Sequence, residues 1–472
     1  MIDRDRLFIA GQWKRSAGRQ IDVLDAASEE VVGRVPEATA DEVAQACAAA
    51  RDAFPGWSST DPSKRSELLL KLSEILDRRS GEVAEIVSRE VGMPIKLSKR
   101  IQAGLPVIVS RQYAELLETF RFEEQVGNSR VTMVPKGVVA AITPWNYPLH
   151  QLVNKVAPAL AAGCTVVAKP SEEAPLSAFI LAEAIEEAGF PAGVFNLVTG
   201  YGGTTGKALV EHPAVDMISF TGSNATGRAI AAMAASTAKR VTLEMGGKSP
   251  SVLLDDAEMS PAVRSTLANC FLNSGQTCTA LTRLLVPHSR IDEVEDLVAE
   301  QVKTFVVGDP QDPATRLGPL VSARQRDRVL DYIEKGKASG AKILAGGSRE
   351  NLPGKGYFVA PTVFSRVAAD STIAQEEIFG PVLCIVPYEG EEEAVQIANG
   401  TVYGLAAAVW SADPERALRV ARRIRAGQID INGAPFNPRA PFGGFKQSGY
   451  GRELGRWGLD EFVEPQSFQL PG

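Results

Sequence analysis

The stretch CTVVAKPSEEAPLSAFILAEAIEEAGFPAGVFNLVTG, residues 164–200, decides the fold. CTVVAKP is a short apolar run ended by proline and reads as a buried strand. LSAFILAEAIEEAGF repeats apolar residues at helical spacing and is stopped by Gly189 and Pro191. GVFNLV is a second short apolar run. Strand, helix and strand in this order form a crossover that joins parallel strands. The pattern continues outward. A Gly-rich turn and a short helix lead to His212; then come strand DMISF, turn TGSNATG, helix RAIAAMAAST and strand KRVTLEM. Such alternation predicts an α/β fold with a doubly wound, nucleotide-binding parallel sheet. A second alternation, from about 290 to 430, predicts a second α/β lobe. Residues 40–120 read as helices, with apolar residues at three and four in DEVAQACAAARDAF and RSELLLKLSEILDRR. RFEEQVGNSRVTMVPKGVVAA (121–141) reads as an extended arm or hairpin turning at Gly127-Asn128.

Composition sets the outer limits. A chain of 472 residues is too long for one core. Its hydrophobic and charged fractions, 44% and 23%, exclude disordered and collagenous classes. A net charge of −7 without a basic run speaks against nucleic acid. The charged start MIDRDRLFIAGQW does not resemble a signal peptide, and no apolar window matches a spanning helix. Five scattered cysteines, with no CxxC pair, indicate neither a disulfide framework nor a metal site. A cytoplasmic protein with no membrane partner and no metal is expected.

Two Gly-rich turns follow strands in the first lobe, GYGGTTG (200–206) and FTGSNATG (220–227). Either offers backbone N–H groups and a helix start to a pyrophosphate, and neither has the GxGxxG spacing. A third, GYGRELG (449–455), has no strand before it. KPSE (169–172) sets Lys169 and Glu172 at a strand's carboxyl end.

In FLNSGQTCTALTR (271–283), Cys278 sits among small polar residues, whereas a packing cysteine has apolar neighbours. As a nucleophile it needs a base. The chain has three histidines: His212 and His288 read as surface residues, and His150 is the nearest candidate to line a pocket. Three further stretches fit one chemistry. ITPWNYP (142–148) places Asn146 in a turn at a strand end, LEMGGKSP places Glu244 at the end of an apolar strand, and EEIFGP adds carboxylates beside an aromatic. Taken singly, each has an ordinary structural explanation.

ITPWNYP, KPSE, FTGS, LEMGGKSP, NSGQTC, EEIFGP and PFGGFKQSGYGRELG together resemble the aldehyde dehydrogenase superfamily, in its order and from about residue 8 to 465. The resemblance implies that Cys278 attacks an aldehyde to give a thiohemiacetal. Asn146 and the Cys278 N–H would steady the oxyanion, hydride would pass to nicotinamide, and Glu244 would activate water against the thioester. Lys155 and Glu464 match positions that relay the Glu244 proton. For the cofactor it implies the ITPW run (Ile142, Thr143, Pro144, Trp145), the KPSE residues Lys169, Ser171 and Glu172, and Gly202. It further implies Phe220, Gly222, Ser223, Gly246, Glu377 and Phe379. Ser223 takes the pyrophosphate and Glu377 the nicotinamide ribose. Glu172 would repel a 2′-phosphate, which favours NAD over NADP.

The implied division is a cofactor domain of residues 1–120 and 141–243, a catalytic domain of 244–445, and oligomerising segments 121–140 and 446–472, giving a homodimer or homotetramer. The aldehyde would be lined by Tyr147, His150, Gln151, Asn154, Thr277, Thr279 and Phe436. Tyr147, His150, Gln151 and Asn154 share one helix face. That face is bulky and apolar in many relatives, so polar aldehydes are expected here. Two alternatives remain at this level: an acylating enzyme that uses coenzyme A, whose relatives generally lack the Glu244 carboxylate, and a thiol esterase.

Overall fold

Five strands of the first lobe run parallel in the spatial order Arg240–Glu244, Met217–Thr221, Val138–Ile142, Thr165–Lys169 and Phe195–Leu197 in the computed structural model, which describes residues 1–471. Of these five, Val138–Ile142 comes first in the chain, which then steps outward to Phe195–Leu197 and returns to the other side of Val138–Ile142 for Met217–Thr221. The order therefore reverses beside Val138–Ile142. At such a reversal the loops leaving the carboxyl ends diverge and open a crevice. The hairpin Arg6–Ile9 and Gln12–Arg15 extends one edge, and Gly449–Tyr450 pairs antiparallel with the other, making eight strands.

Val138–Ile142, Thr165–Lys169 and Met217–Thr221 are buried at every residue. A parallel sheet covered on both faces requires such runs rather than alternation. Helix Pro148–Ala162, entered by a proline in its first turn and ended by left-handed Gly163, is also buried throughout and packs against helices Pro62–Arg78 and Gly104–Leu116. It follows directly from Val138–Ile142, so its first turn lies at the crevice.

The stretch 121–141 divides where the sequence reading had kept it whole. Glu123–Val126 and Ser129–Pro135 form a largely polar hairpin turning at Gly127-Asn128, and Val463–Gln469 pairs with it as a third strand. Val138–Ile142 belongs to the buried sheet, because its small apolar residues need cover on both faces. The segment 446–472 divides likewise: Gly449–Tyr450 joins the large sheet, and helix Gly455–Asp460 packs against Gly104–Leu116 and Pro148–Ala162.

The second lobe holds seven strands in the order Lys342–Ala345, Thr362–Ser365, Val382–Tyr388, Arg283–Pro287, Pro250–Leu253, Ala406–Trp410 and Gln428–Ile431; all pairings are parallel except the first. Among the described residues no helix is long and apolar enough to cross a membrane.

Candidate active site

The carboxyl ends of the first sheet deliver most of the polar groups. Thr143 N–H donates to the Lys169 carbonyl (3.1 Å), and Gly222 N–H to the Glu244 carbonyl (3.0 Å), so four strand ends are tied in two pairs. The Thr143 and Thr221 hydroxyl oxygens are buried and have no partner. Two orphan hydroxyls at a sheet's switch point are groups that wait for a ligand. Lys169 Nζ is buried, donates to Pro170 O (3.0 Å) and lies 3.5 Å from Glu172; burial pulls its pKa down and Glu172 pushes it up. Ser171 is buried beside them. Ser223 caps helix Asn224–Ala235, its Oγ accepting from Thr226 N–H, so an open helix N-terminus faces the crevice. Phe220 is buried beneath it. Gly202 opens the other Gly-rich turn, an exposed one beyond Phe195–Leu197. Ile142 is buried, and Pro144 leads to Trp145, whose indole meets Phe379 edge to face at 5.4 Å.

Cys278 reaches the same crevice from the second lobe, on a loop between helix Met259–Cys270 and strand Arg283–Pro287. The loop is built from unusual backbone. Asn273, Ser274 and Gly275 all have positive φ (52°, 56° and 75°). Side chains hold that shape: Ser274 Oγ donates to Gly318 O (2.8 Å), and Gln276 Oε1 accepts from Val321 N–H (2.9 Å). A Cβ on Gly275 would fall 2.1 Å from the Gly380 carbonyl oxygen, so only glycine fits. Asn146 joins the two lobes here. Its Nδ2 donates to Gln276 O (3.0 Å), while its own carbonyl accepts from Gln102 Nε2 (2.9 Å) and Asn273 Nδ2 (3.0 Å). Cys278 is partly accessible; the other four cysteines are buried. Burial and the carboxylates of Glu377, Glu244 and Glu453 push its thiol pKa up.

Glu244 is 4% exposed, and neither carboxylate oxygen has a hydrogen-bond partner. Burial first, then Glu453, raises its carboxyl well above the usual range; Lys155 and Arg452 oppose them. Lys155 Nζ donates to Glu453 Oε1 at 2.5 Å inside the protein. Glu464, expected as the relay partner, is elsewhere. It sits on the arm strand, partly exposed and ion-paired with Arg240 at 2.6 Å. Glu453, eleven residues earlier in GYGRELG, is the carboxylate that meets Lys155. In that motif the carboxylate, rather than the glycines, carries the signal.

Glu377 closes the site from the second lobe, and its Oε1 accepts from Gly247 N–H at 3.0 Å. A Cβ on Gly246 would lie 2.2 Å from Glu377 Oε2, and one on Gly247 would lie 2.5 Å from Cys278 O. The two glycines thus let Glu377 and the Cys278 backbone come close to the segment that follows Glu244. Burial pushes the Glu377 carboxyl up to about 7. Phe379 holds φ at 62°, a strained value for an aromatic residue.

The first turns of helix Pro148–Ala162 form a wall. Tyr147 Oη and Thr277 Oγ1 share a hydrogen bond of 2.7 Å, one residue from Cys278. His150, Gln151 and Asn154 are all buried. Thr279 is partly buried beyond the thiol, and Phe436 is exposed, edge-on to Phe442 at 6.5 Å. Asn273, Gln276 and Gln102, which hold the Asn146 turn and the thiol loop, had no separate signal in the sequence.

The fold and site together define a doubly wound nucleotide-crevice protein with a thiol, an orphaned carboxylate and an amide at one junction. The family model described as "Aldehyde dehydrogenase family" matches residues 13–468, and the chain belongs to that family. A 3-succinoylsemialdehyde-pyridine dehydrogenase of a Pseudomonas species is 47% identical over 98% of each chain. Geranial dehydrogenase of Castellaniella defragrans is 44% identical over the whole of both chains. The structure of a mutant aldehyde dehydrogenase C from Pseudomonas syringae, in complex with NAD+ and octanal, superposes with a TM-score of 0.97 at 46% identity, covering 99% of this chain and 96% of that one. A Mycobacterium tuberculosis aldehyde dehydrogenase complexed with NAD+ gives 0.97 at 42% identity, covering 100% and 99%.

Proposed function

We propose that this aldehyde dehydrogenase uses NAD to oxidise an aldehyde to its carboxylic acid through an acyl group carried on Cys278. The observation that carries the reading is the convergence at one junction: an accessible thiol, an oriented amide and a buried base with both oxygens free.

In this reading the Cys278 sulfur, its proton drawn off to Glu244 directly or through water, forms a bond to the aldehyde carbon. The carbonyl oxygen gains negative charge. Asn146 Nδ2 uses one hydrogen on Gln276 O, which leaves the second for that oxygen, with the Cys278 N–H beside it. One such donor is worth about 3–4 kcal/mol of barrier. NAD, when bound, supplies a cationic nicotinamide that accepts the hydride pair from that carbon. Its ribose and pyrophosphate would be held by Lys169, Glu172, Ser223, Glu377 and the orphan Thr143 and Thr221 hydroxyls. Lys169 is already engaged by Glu172, so the pair is poor for a 2′-phosphate, in support of NAD over NADP. Once the thiol proton has been passed on, Glu244 takes a proton from water as the water oxygen bonds to the acyl carbon and the C–S bond breaks. A carboxylate works as a base near neutrality only when its pKa is raised, and burial beside Glu453 raises this one. Lys155 and Glu453 provide the path by which Glu244 sheds its proton.

The division of labour follows: the eight-stranded lobe holds the cofactor and the seven-stranded lobe carries the thiol. The exposed Val126, Phe468 and Leu470 on the arm support a homodimer or homotetramer. The experiment is NADH formation with an aldehyde panel, with and without coenzyme A, for wild type and Cys278→Ala. Steady turnover without coenzyme A, absent in the variant, is expected. Ester cleavage without any NADH formation would overturn the reading in favour of a hydrolase.

A further inference from the structure

The face of helix Pro148–Ala162 between the Tyr147–Thr277 contact and Glu453 carries three buried polar side chains, and each leaves an atom without a partner: His150 Nδ1, Gln151 Oε1 and Asn154 Oδ1. Orphaned polar atoms at this burial are rare, and three within five residues call for an explanation. The hydrogen bonds around Asn154 fix what these atoms are. Asn154 Nδ2 lies 3.4 Å from Glu453 Oε2 and 3.4 Å from His150 Nε2. A carboxylate only accepts, so the amide nitrogen must face it, and Oδ1 is left free as an acceptor. The same NH2 faces His150 Nε2, and an amide nitrogen only donates. Nε2 therefore accepts, and the proton of the neutral ring sits on Nδ1. Burial pushes the His150 pKa down to about 4, so the ring stays neutral at pH 7. The wall thus presents one N–H donor, His150 Nδ1, flanked by two acceptors, with no charge to offer.

We infer that His150, its tautomer set by Asn154, selects aldehydes whose carbon chain carries a neutral hydrogen-bond acceptor, such as a ketone oxygen or a heteroaromatic nitrogen, over plain alkanals of the same length. Resting on the reading of Cys278 as the acyl carrier, the inference assigns the far end of the same substrate. A neutral acceptor on the substrate takes the His150 N–H. An alkanal leaves the His150 N–H unpaired, and a site built to hydrogen-bond discriminates strongly against an analogue that lacks the partner. A carboxylate-bearing semialdehyde gains no counter-charge from these three residues.

The test compares kcat/KM for a 4-oxoalkanal and the alkanal of equal length, in wild type, His150→Leu and Asn154→Leu. Beside it, calorimetry measures binding of the two corresponding product acids to each protein with NAD. The wild type is expected to prefer the oxo compound at least tenfold in both measurements. His150→Leu is expected to lose most of that ratio through a rise in KM for the oxo substrate and a fall for the alkanal. A ratio that differs less than twofold between wild type and both variants overturns the inference, even with full aldehyde oxidation. If no aldehyde yields NADH, the acyl-carrier reading fails instead, and the acid-binding ratio alone decides the role of the wall.

Discussion

The two lobes meet at one crevice but supply it in different ways. The eight-stranded lobe brings its groups on strand ends: Asn146 just past Val138–Ile142, Lys169 and Glu244 as last residues of theirs, Ser223 after Met217–Thr221. Their positions follow from a buried parallel sheet whose register is tied by backbone hydrogen bonds. The seven-stranded lobe brings Cys278 on a loop with three consecutive left-handed residues, held by side chains of neighbouring segments. Regular structure thus places the proposed cofactor and base groups, while strained backbone, maintained by packing, places the proposed nucleophile. A group on a loop can be aimed more freely than one on a strand, at the expense of local stability.

The strongest way to break this contrast is to remove the nucleophile. Cys278→Ala is expected to lower kcat by roughly 10⁴-fold or more, whereas Cys270→Ala, at a buried helix end eight residues earlier, keeps most of the activity. Steady-state NADH formation checks both. Asn146→Ala takes away the amide that bridges the lobes and is expected to reduce kcat by about 10²–10³-fold, read in the same assay. Gly275→Ala attacks the loop itself. Its φ of 75° and a contact of 2.1 Å with Gly380 O predict destabilisation by about 3 kcal/mol or more, measured by denaturant unfolding.

Glu453→Gln sharpens the comparison by acting on the strand-end base alone. Glu453 raises the Glu244 pKa, and its removal also leaves the Lys155 cation without its partner beside Glu244. Both changes favour ionised Glu244, so the acidic limb of the kcat profile should move to lower pH. Glu464→Gln, by contrast, breaks only a partly exposed pair with Arg240; it is expected to leave that profile in place and to change stability by less than about 1 kcal/mol.

The same contrast explains what the sequence disclosed. Strands such as Thr165–Lys169 and helices such as Leu176–Ala188 were legible because period and stop signals are local properties of the chain. The order reversal at Val138–Ile142 was not, and that strand was merged with the arm, because GVVAA is as extended as the hairpin before it and only its burial separates the two. Cys278 stood out by its polar neighbours, but the shape of its loop depends on Gly318, Val321 and Gly380, far away in sequence. Glu453 and Glu464 lie in one C-terminal stretch, and nothing local tells which of them turns inward to Lys155. That choice is made by the pairing of Gly449–Tyr450 with the sheet and of Phe442 with Glu453, contacts that appear only in three dimensions.

The central claim is that Cys278 carries the acyl group and Glu244 releases it, and Glu244→Gln isolates that step. The variant would be mixed with NAD and an aldehyde, quenched in acid, and its peptides examined by mass spectrometry alongside the NADH released. The account predicts about one equivalent of NADH followed by a stall, with the acyl mass on the peptide that contains Cys278. Continued turnover at the wild-type rate, or an acyl mass on any other residue, would contradict it.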